Sequence, residues 1–313
     1  MKKYLVTGGA GFIGSHIVNT LLERGDSVRV FDNFSSGKHE NLEAFQATQF
    51  TGRFEVLEGD LRNKQEVSQA VHDVDIIFHE AAFVSVPESM EKPQDCFDIN
   101  ITGTTNLFES ARKAGVHRVV VASSAAVYGD SEALPLDEDT ALLPLSPYAI
   151  SKCVDEMFAT LYTKSFGLEV VALRYFNVYG PRQRPDSMYS AAVPIFIQCM
   201  RSKKAVTIFG DGGQSRDLIY VGDIVRANLI ASEHPSAAGQ VFNICTGKET
   251  RILDLLEVLH NLFPDSPRAK HDKPRSGDIY KSFGSPNKAA KMIGFTATKS
   301  LAEGIRETVK WSL

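Results

Sequence analysis

Short apolar runs alternate with amphipathic stretches along residues 1–175. The runs are Tyr4–Val6, Val28–Phe31, Phe54–Leu57, Ile76–Phe78, Val119–Ala122 and Val170–Leu173. They are rich in Val, Ile and Phe and are bounded by polar residues or glycine. Near-continuous apolar runs of this kind fit parallel strands buried on both faces. Helical patterns lie between them, at Ile13–Arg24, Asn63–Val71 and Cys96–Ala114. Alternating strand and helix predicts an α/β fold: a Rossmann-type, doubly wound parallel sheet.

The character changes after Arg174. Tyr175–Tyr189 carries Gly180, Pro181 and Pro185 with Arg182 and Arg184, and reads as loop. Helical patterns follow at Ala191–Arg201, Val221–Ala231 and Ile252–Leu262, with a strand pattern at Val241–Ile244. Pro264–Gly284 is polar and proline-punctuated. The expected organisation is a dinucleotide-binding domain over 1–175 and a smaller α/β substrate domain over 176–313, some of whose elements return to the main sheet.

Composition narrows the partners. Apolar residues make up 43% and charged residues 23% of 313, enough for a sizeable core. The net charge is −4 with no basic tail or stripe, which argues against nucleic acid or an anionic membrane. No stretch approaches the roughly 20 apolar residues of a membrane span, and the run before Gly8 is too short for a signal peptide. The cysteines, Cys96, Cys153, Cys199 and Cys245, are scattered, which disfavours a metal site and suits a reducing cytoplasm.

Candidate chemistry begins at Thr7-Gly8-Gly9-Ala10-Gly11-Phe12-Ile13-Gly14, between the first strand and the first helix. Glycines at 8, 11 and 14 permit a tight turn and close approach of a diphosphate, and the helix N-terminus offers N–H groups to it. Asp32 ends the second strand, where an acid accepts the ribose hydroxyls of NAD and repels a 2′-phosphate; the alternative is a strand-end turn former with Asn33. Asp60-Leu61 ends the third strand, and Asp60 either flanks the adenine or caps the Asn63–Val71 helix.

Tyr148 and Lys152 form Tyr-x-x-x-Lys just after Pro147, which suits a first helical turn. On a helix they share one face, and an ammonium near a phenol favours the phenolate, so Tyr148 becomes a base. Ser123-Ser124 ends the fifth strand at the carboxyl edge, where such sheets bind ligands. There Ser124 either bonds a reacting oxygen or caps a turn.

These motifs carry a resemblance, together with His79-Glu80-Ala81-Ala82, Asn100, Ser-Ser-Ala-Ala-Val-Tyr-Gly (123–129), Arg-Tyr-Phe-Asn (174–177) and Arg-Asp (216–217). Over essentially its whole length the chain resembles the extended short-chain dehydrogenase/reductase family, and within it the NAD-dependent UDP-hexose 4-epimerases. The resemblance implies that Tyr148 is the base, that Lys152 binds the nicotinamide ribose and tunes Tyr148, and that Ser124 contacts the sugar O4. It implies NAD on Gly8, Gly11, Phe12, Ile13 and Gly14, on Asp32, Asn33, Ser35, Ser36 and Gly37, and on Asp60 and Leu61. Ala81, Ala82, Asn100, Tyr175, Tyr148 and Lys152 complete the cofactor set. The UDP-hexose is implied to meet Ser85, Ser124, Tyr148, Asn177, Val193, Phe209, Arg216, Arg275, Asp278 and Ser282. Forked arginines suit a diphosphate, although either arginine alone would read as a surface ion pair. A homodimer through the helices bearing Asn100 and Tyr148 is implied as well.

Departures refine the expectation. Family dehydratases have an acidic pair where this chain has Ala125-Ala126, which disfavours elimination of water. Some 4-epimerases carry lysine where this chain has Val84. Ser282 falls where a bulky tyrosine limits the sugar pocket, so a 2-acetamido group is expected to fit. Ser85-Val86-Pro87 and Tyr189-Ser190-Ala191-Ala192 also resemble members that accept N-acetylhexosamines. Gly-Pro-Arg-Gln-Arg-Pro-Asp (180–186) is similar to UDP-glucuronate 4-epimerases, which makes glucuronate the alternative substrate. A net NAD-dependent sugar oxidoreductase and a non-catalytic dinucleotide sensor are the other readings.

Overall fold

In the computed structural model, which describes residues 2–46, 48–185, 192–274 and 279–312, the apolar runs assemble into a seven-stranded parallel sheet. Its strands are β1 (Lys3–Thr7), β2 (Ser27–Asp32), β3 (Phe54–Glu58), β4 (Ile76–His79), β5 (Arg118–Ser124), β6 (Glu169–Tyr175) and β7 (Val241–Ile244). The order is β7-β6-β5-β4-β1-β2-β3, and every neighbouring pair is parallel. The chain reverses direction across the sheet between β1 and β4, the switch point at which such sheets bind ligands.

Helices α1 (Phe12–Glu23), α2 (Lys64–Ala70), α3 (Thr104–Ala114) and α4 (Pro147–Phe166) are the principal helices between these strands. Side chains alternate across each strand, so the sheet feeds two cores. One gathers Tyr4, Val6, Ile17, Leu21, Val30 and Phe78. The other gathers Leu5, Phe31, Ile77, Leu107, Phe108, Val119 and Val121. The observed β5 is longer than its apolar run because polar ends are satisfied in place. Arg118 is buried on Glu169 and on the carbonyls of Ala231 and His234, and Ser123 donates to Glu156.

The stretch expected as one helix, Cys96–Ala114, is three segments. An α-turn (Pro93–Phe97) runs into a π-helical turn (Asp98–Gly103) and then α3. Such widened turns recur at functional sites, and this one carries Asn100. Tyr175–Tyr189 is also not all loop: Asn177–Tyr179 is a strand, paired in parallel with Leu218–Tyr220.

Beyond β6 the chain builds a second lobe on α5 (Ala192–Arg201), the helix Ile252–Leu262 and the helix Leu301–Ser312, around Tyr179, Phe196, Ile197, Leu255, Leu259 and Ile305. Helix α6 (Val221–Glu233) packs on α1, β5 and β6 and leads back to β7 in the main sheet. Within Pro264–Gly284, Lys270–Asp272 and Lys281–Ser282 pair as short strands with Thr207–Phe209 and Ser215–Arg216. Among the described residues no helix is long and apolar enough to cross a membrane.

Candidate active site

The glycine turn sits where β1 ends. Gly8 has φ +67, and a Cβ there would lie 2.6 Å from the backbone nitrogen of Ala81. A Cβ on Gly14 would collide with the carbonyl oxygen of Gly8. The turn is therefore closed so tightly that only hydrogen fits at either position. At Gly11 a Cβ would meet nothing nearer than that same carbonyl, at 3.1 Å. Gly11 is the N-cap of α1, and no side chain caps the helix. Phe12, Ile13 and Gly14 follow it, so an uncapped helix start with its N–H groups fits a dinucleotide diphosphate.

Asp32 closes β2 beside this turn. One carboxylate oxygen accepts the Ala10 N–H at 2.9 Å and the other the Phe34 N–H at 2.9 Å, with Gly37 close by. Burial raises its pKa, against the pull of those two N–H groups. Asn33 donates to Asp60 at 3.1 Å and accepts from the backbone and hydroxyl of Ser35. The Arg62 guanidinium holds the Asp60 carboxyl well below the usual carboxylate range. Asp60 does not cap the following helix, because Asn63 does: its side chain accepts from the N–H groups of Gln65 and Glu66. The ends of β2 and β3 are thus tied into one rim, which carries Ser36 and Leu61 as well.

Tyr148 and Lys152 lie on the first turns of α4. Ser146 caps that helix, accepting the Ala149 N–H at 3.1 Å, and Pro147 supplies its first residue. The Tyr148 N–H donates to Ser89 at 3.3 Å. Tyr148 is half-buried, whereas Lys152 is only 3% exposed. Burial works against the Lys152 ammonium, but Asp155, Tyr148 and Glu80 outweigh it and raise its pKa. Helix α4 packs on β5 and on the turn Ala125–Tyr128, which brings Ser124 to the same region. The Ser124 hydroxyl accepts the Ala126 N–H at 3.2 Å, so it does cap the turn; its own O–H remains to be donated.

Asn100 braces the pair. Its amide donates to Ser151 at 2.9 Å and its oxygen accepts the Phe83 N–H at 2.7 Å, linking the π-helical turn, α4 and the segment after β4. Ala81 and Ala82 lie in that segment, with Ala81 against Gly8. Tyr175 is placed differently from a free cofactor contact. Its hydroxyl donates to Glu80 at 2.8 Å and accepts from Asn228 at 2.7 Å.

The second lobe supplies the remaining candidates. Arg216 and Ser282 are register partners in neighbouring strands. Asp217, the other half of Arg-Asp, is fully buried and accepts from Thr246, Gly247 and Gly284, so it anchors the end of the strand that presents Arg216. Asn177 is exposed at the start of its strand, Phe209 ends another, and Ser85 caps the helix Val86–Glu91. Val193 is packed into the lobe's core at 1% exposure. Arg275 and Asp278, like Tyr189-Ser190-Ala191, lie outside the described residues. Arg184 donates to the Ser36 carbonyl at 3.1 Å and Arg182 lies over the Phe45 ring, both on the side of the glycine turn.

The model of the NAD-dependent epimerase/dehydratase family matches residues 4–245. The chain belongs to that family. It is 37% identical over 311 residues to a UDP-glucose 4-epimerase of Mycolicibacterium smegmatis, covering 98% of this chain and 97% of the relative. Among solved structures it is similar to a UDP-N-acetylglucosamine 4-epimerase from Methanobrevibacter ruminantium M1, in complex with UDP-N-acetylmuramic acid. That match has TM-score 0.94 and 38% identity and covers 99% and 98% of the two chains. It is also similar to a UDP-glucuronic acid 4-epimerase from Bacillus cereus in complex with UDP-glucuronic acid and NAD. Here the TM-score is 0.89 and the identity 32%, with 99% and 98% covered. The family member described here is an NAD-dependent enzyme with the Rossmann-type sheet expected of it.

Several buried polar residues of the site are given no role by the motifs, even where the motifs contain them. Thr7, His79 and Thr104 form a buried chain, with contacts of 2.7 and 3.0 Å. Burial and the nearby Lys152 push the His79 imidazole down to about 3, so it stays neutral. Burial pushes the Glu80 carboxyl up to about 7, against Tyr175 and Lys152. Glu156 binds Arg174 through two contacts of 2.8 Å and so fastens α4 to β6. Asp155 faces Lys152 at 3.1 Å. The one signal for it in the sequence is its i+3 spacing from Lys152.

Proposed function

We propose that the protein is a UDP-hexose 4-epimerase that turns over both UDP-glucose/UDP-galactose and UDP-GlcNAc/UDP-GalNAc. The observation that carries this reading is Tyr148 and buried Lys152 on one face of α4, packed against the strand end that holds Ser124. Bound NAD supplies a reversible hydride acceptor for C4 of the sugar. Tyr148 takes the proton of the 4-hydroxyl and later returns it. Lys152, held charged, favours the phenolate of Tyr148. Ser124 donates its O–H to the sugar O4. Arg216, Arg275, Asn177 and Asp278 hold the nucleotide diphosphate and uridine, so that binding energy remote from C4 leaves the hexose free to turn over between the two transfers. Ala125 and Ala126 offer no carboxylate for elimination.

Ser282, a small residue beside Arg216, supports acceptance of the acetamido group. The four free cysteines suit a reducing compartment, the cytoplasm. A homodimer through α4 completes the reading.

The test is purified protein with each UDP-sugar and no second substrate, followed by NMR. Interconversion of the glucose and N-acetylglucosamine forms, without accumulation of NADH, is expected. Steady NADH production once NAD+ is added in excess would instead make the protein a net oxidoreductase, and turnover of the glucuronate form alone would reassign the substrate. Tyr148→Phe should lose at least about a hundredfold in kcat, the usual contribution of a positioned base. A variant that keeps most of its activity would overturn the assignment of Tyr148.

A further inference from the structure

Lys152 is not alone behind the candidate base. Its ammonium lies 3.1 Å from a carboxylate oxygen of Asp155, one turn further along α4, and the two side chains are 3% and 0% exposed. The other Asp155 oxygen, also buried, makes no well-formed hydrogen bond among the described residues, although the Thr104 hydroxyl lies near the carboxylate. Taking both charges out of water costs more than such a pair returns unless the remaining lone pairs are satisfied, so a half-satisfied pair is a poor device for stability. It needs another reason to be there.

The surroundings supply one. Tyr148 faces Lys152 from the same helix, His79 and Glu80 from the end of β4, and Cys96 from the helix Pro93–Phe97. His79 is neutral, and burial pushes the Cys96 thiol up, so neither brings charge. Glu156 is turned to Ser123 and Arg174. Glu80 engages Tyr175. Asp155 is therefore the acid in direct contact with the ammonium. Burial raises its own pKa, and Lys152 pulls it back.

We propose that Asp155 is a positioning residue, which fixes the ammonium of Lys152 and keeps it charged in its buried site, thereby setting the strength of Tyr148 as a base. The proposal rests on Tyr148 being that base. Its sign follows from charge. An ammonium favours the phenolate and burial opposes the ammonium, so without the carboxylate Lys152 holds its charge less well and the phenolate forms only at higher pH. Removing it also unties Lys152, which is then held by weaker contacts.

The experiment titrates Tyr148 directly in the NAD-loaded protein. Phenolate absorbance is measured against pH for the parent and for Asp155→Asn, each minus the same protein carrying Tyr148→Phe. The midpoint should rise by about half a pH unit or more in Asp155→Asn, and Asp155→Glu should bring it back towards the parent. Asp155→Ser gives a second neutral side chain should the amide not be accommodated. A midpoint that stays with the parent or falls in a folded neutral variant overturns the proposal. So does a midpoint that Asp155→Glu shifts as far as the neutral variants do. The titration needs no sugar, so absence of epimerase activity in the parent would refute the functional reading and leave this result standing.

Discussion

Ser282 shows how much one side chain decides. It pairs in register with Arg216, and the backbone carbonyl of Ser282 accepts the N–H of Asp217 at 2.9 Å, so its position is set by the strands that present the arginine. Replacing its hydroxymethyl by a phenol ring adds bulk there without touching Tyr148 or Lys152. Ser282→Tyr is expected to lower kcat/KM for UDP-GlcNAc by about 10- to 200-fold more than for UDP-glucose, the range that a steric clash in a pocket commands. Equal losses for both substrates would mean that Ser282 is no gatekeeper. Residues of this kind were legible because their motifs are local: Tyr148 and Lys152 are one helical turn apart, and Ser124 follows an apolar run. Asp155 and the role of Glu80 were not, because what makes them matter is burial and neighbours from other elements. An acid three residues from a lysine is ordinary on an exposed helix, and only its 0% exposure makes this one unusual.

The glycine turn is a property of an element, β1 joined to α1, and is tested as one. A methyl group on Gly14 has no room against the Gly8 carbonyl, so Gly14→Ala must open the turn. Purified Gly14→Ala is expected to carry less than about a tenth of the NAD of the parent, measured after release by acid. Gly115→Ala is the control. Gly115 also has a positive φ, +74, but its Cβ would meet nothing within 4 Å. It should cost about 1 kcal/mol of stability through backbone strain and leave NAD content unchanged. Equal NAD loss in both variants would make the effect one of general destabilisation. At this scale the strands of the main sheet were legible because each is a buried apolar run with no competing pattern. The small strands were not: Asn177–Tyr179 and Ser215–Arg216 are too short for any period, and they exist only because distant partners pair with them. The π-helical turn was hidden for a related reason, since its apolar positions continue the period of the helices on either side.

For the whole molecule, helix α4 has two faces with different tasks. Its inner face carries Lys152, Asp155 and Glu156 into the protein. Its outer face exposes Ile150, Met157 and Leu161, at i, i+7 and i+11, with Met157 65% exposed. Exposed apolar residues scattered singly need no explanation, but a stripe along one helix does. A second copy related by a two-fold axis would lay the same stripe against itself, so each apolar contact is made twice. Every acid placed on the stripe is likewise repeated across the axis and buried among apolar side chains, a cost that rises with each. The parent is expected to run in light scattering at twice its chain mass of 34.4 kDa, and Met157→Glu/Leu161→Glu at the chain mass itself. The double variant should keep its NAD and its far-ultraviolet spectrum, because neither residue reaches the core or the glycine turn. A parent that runs as a monomer would refute the dimer. A double variant that still runs at twice the chain mass would move the interface away from α4.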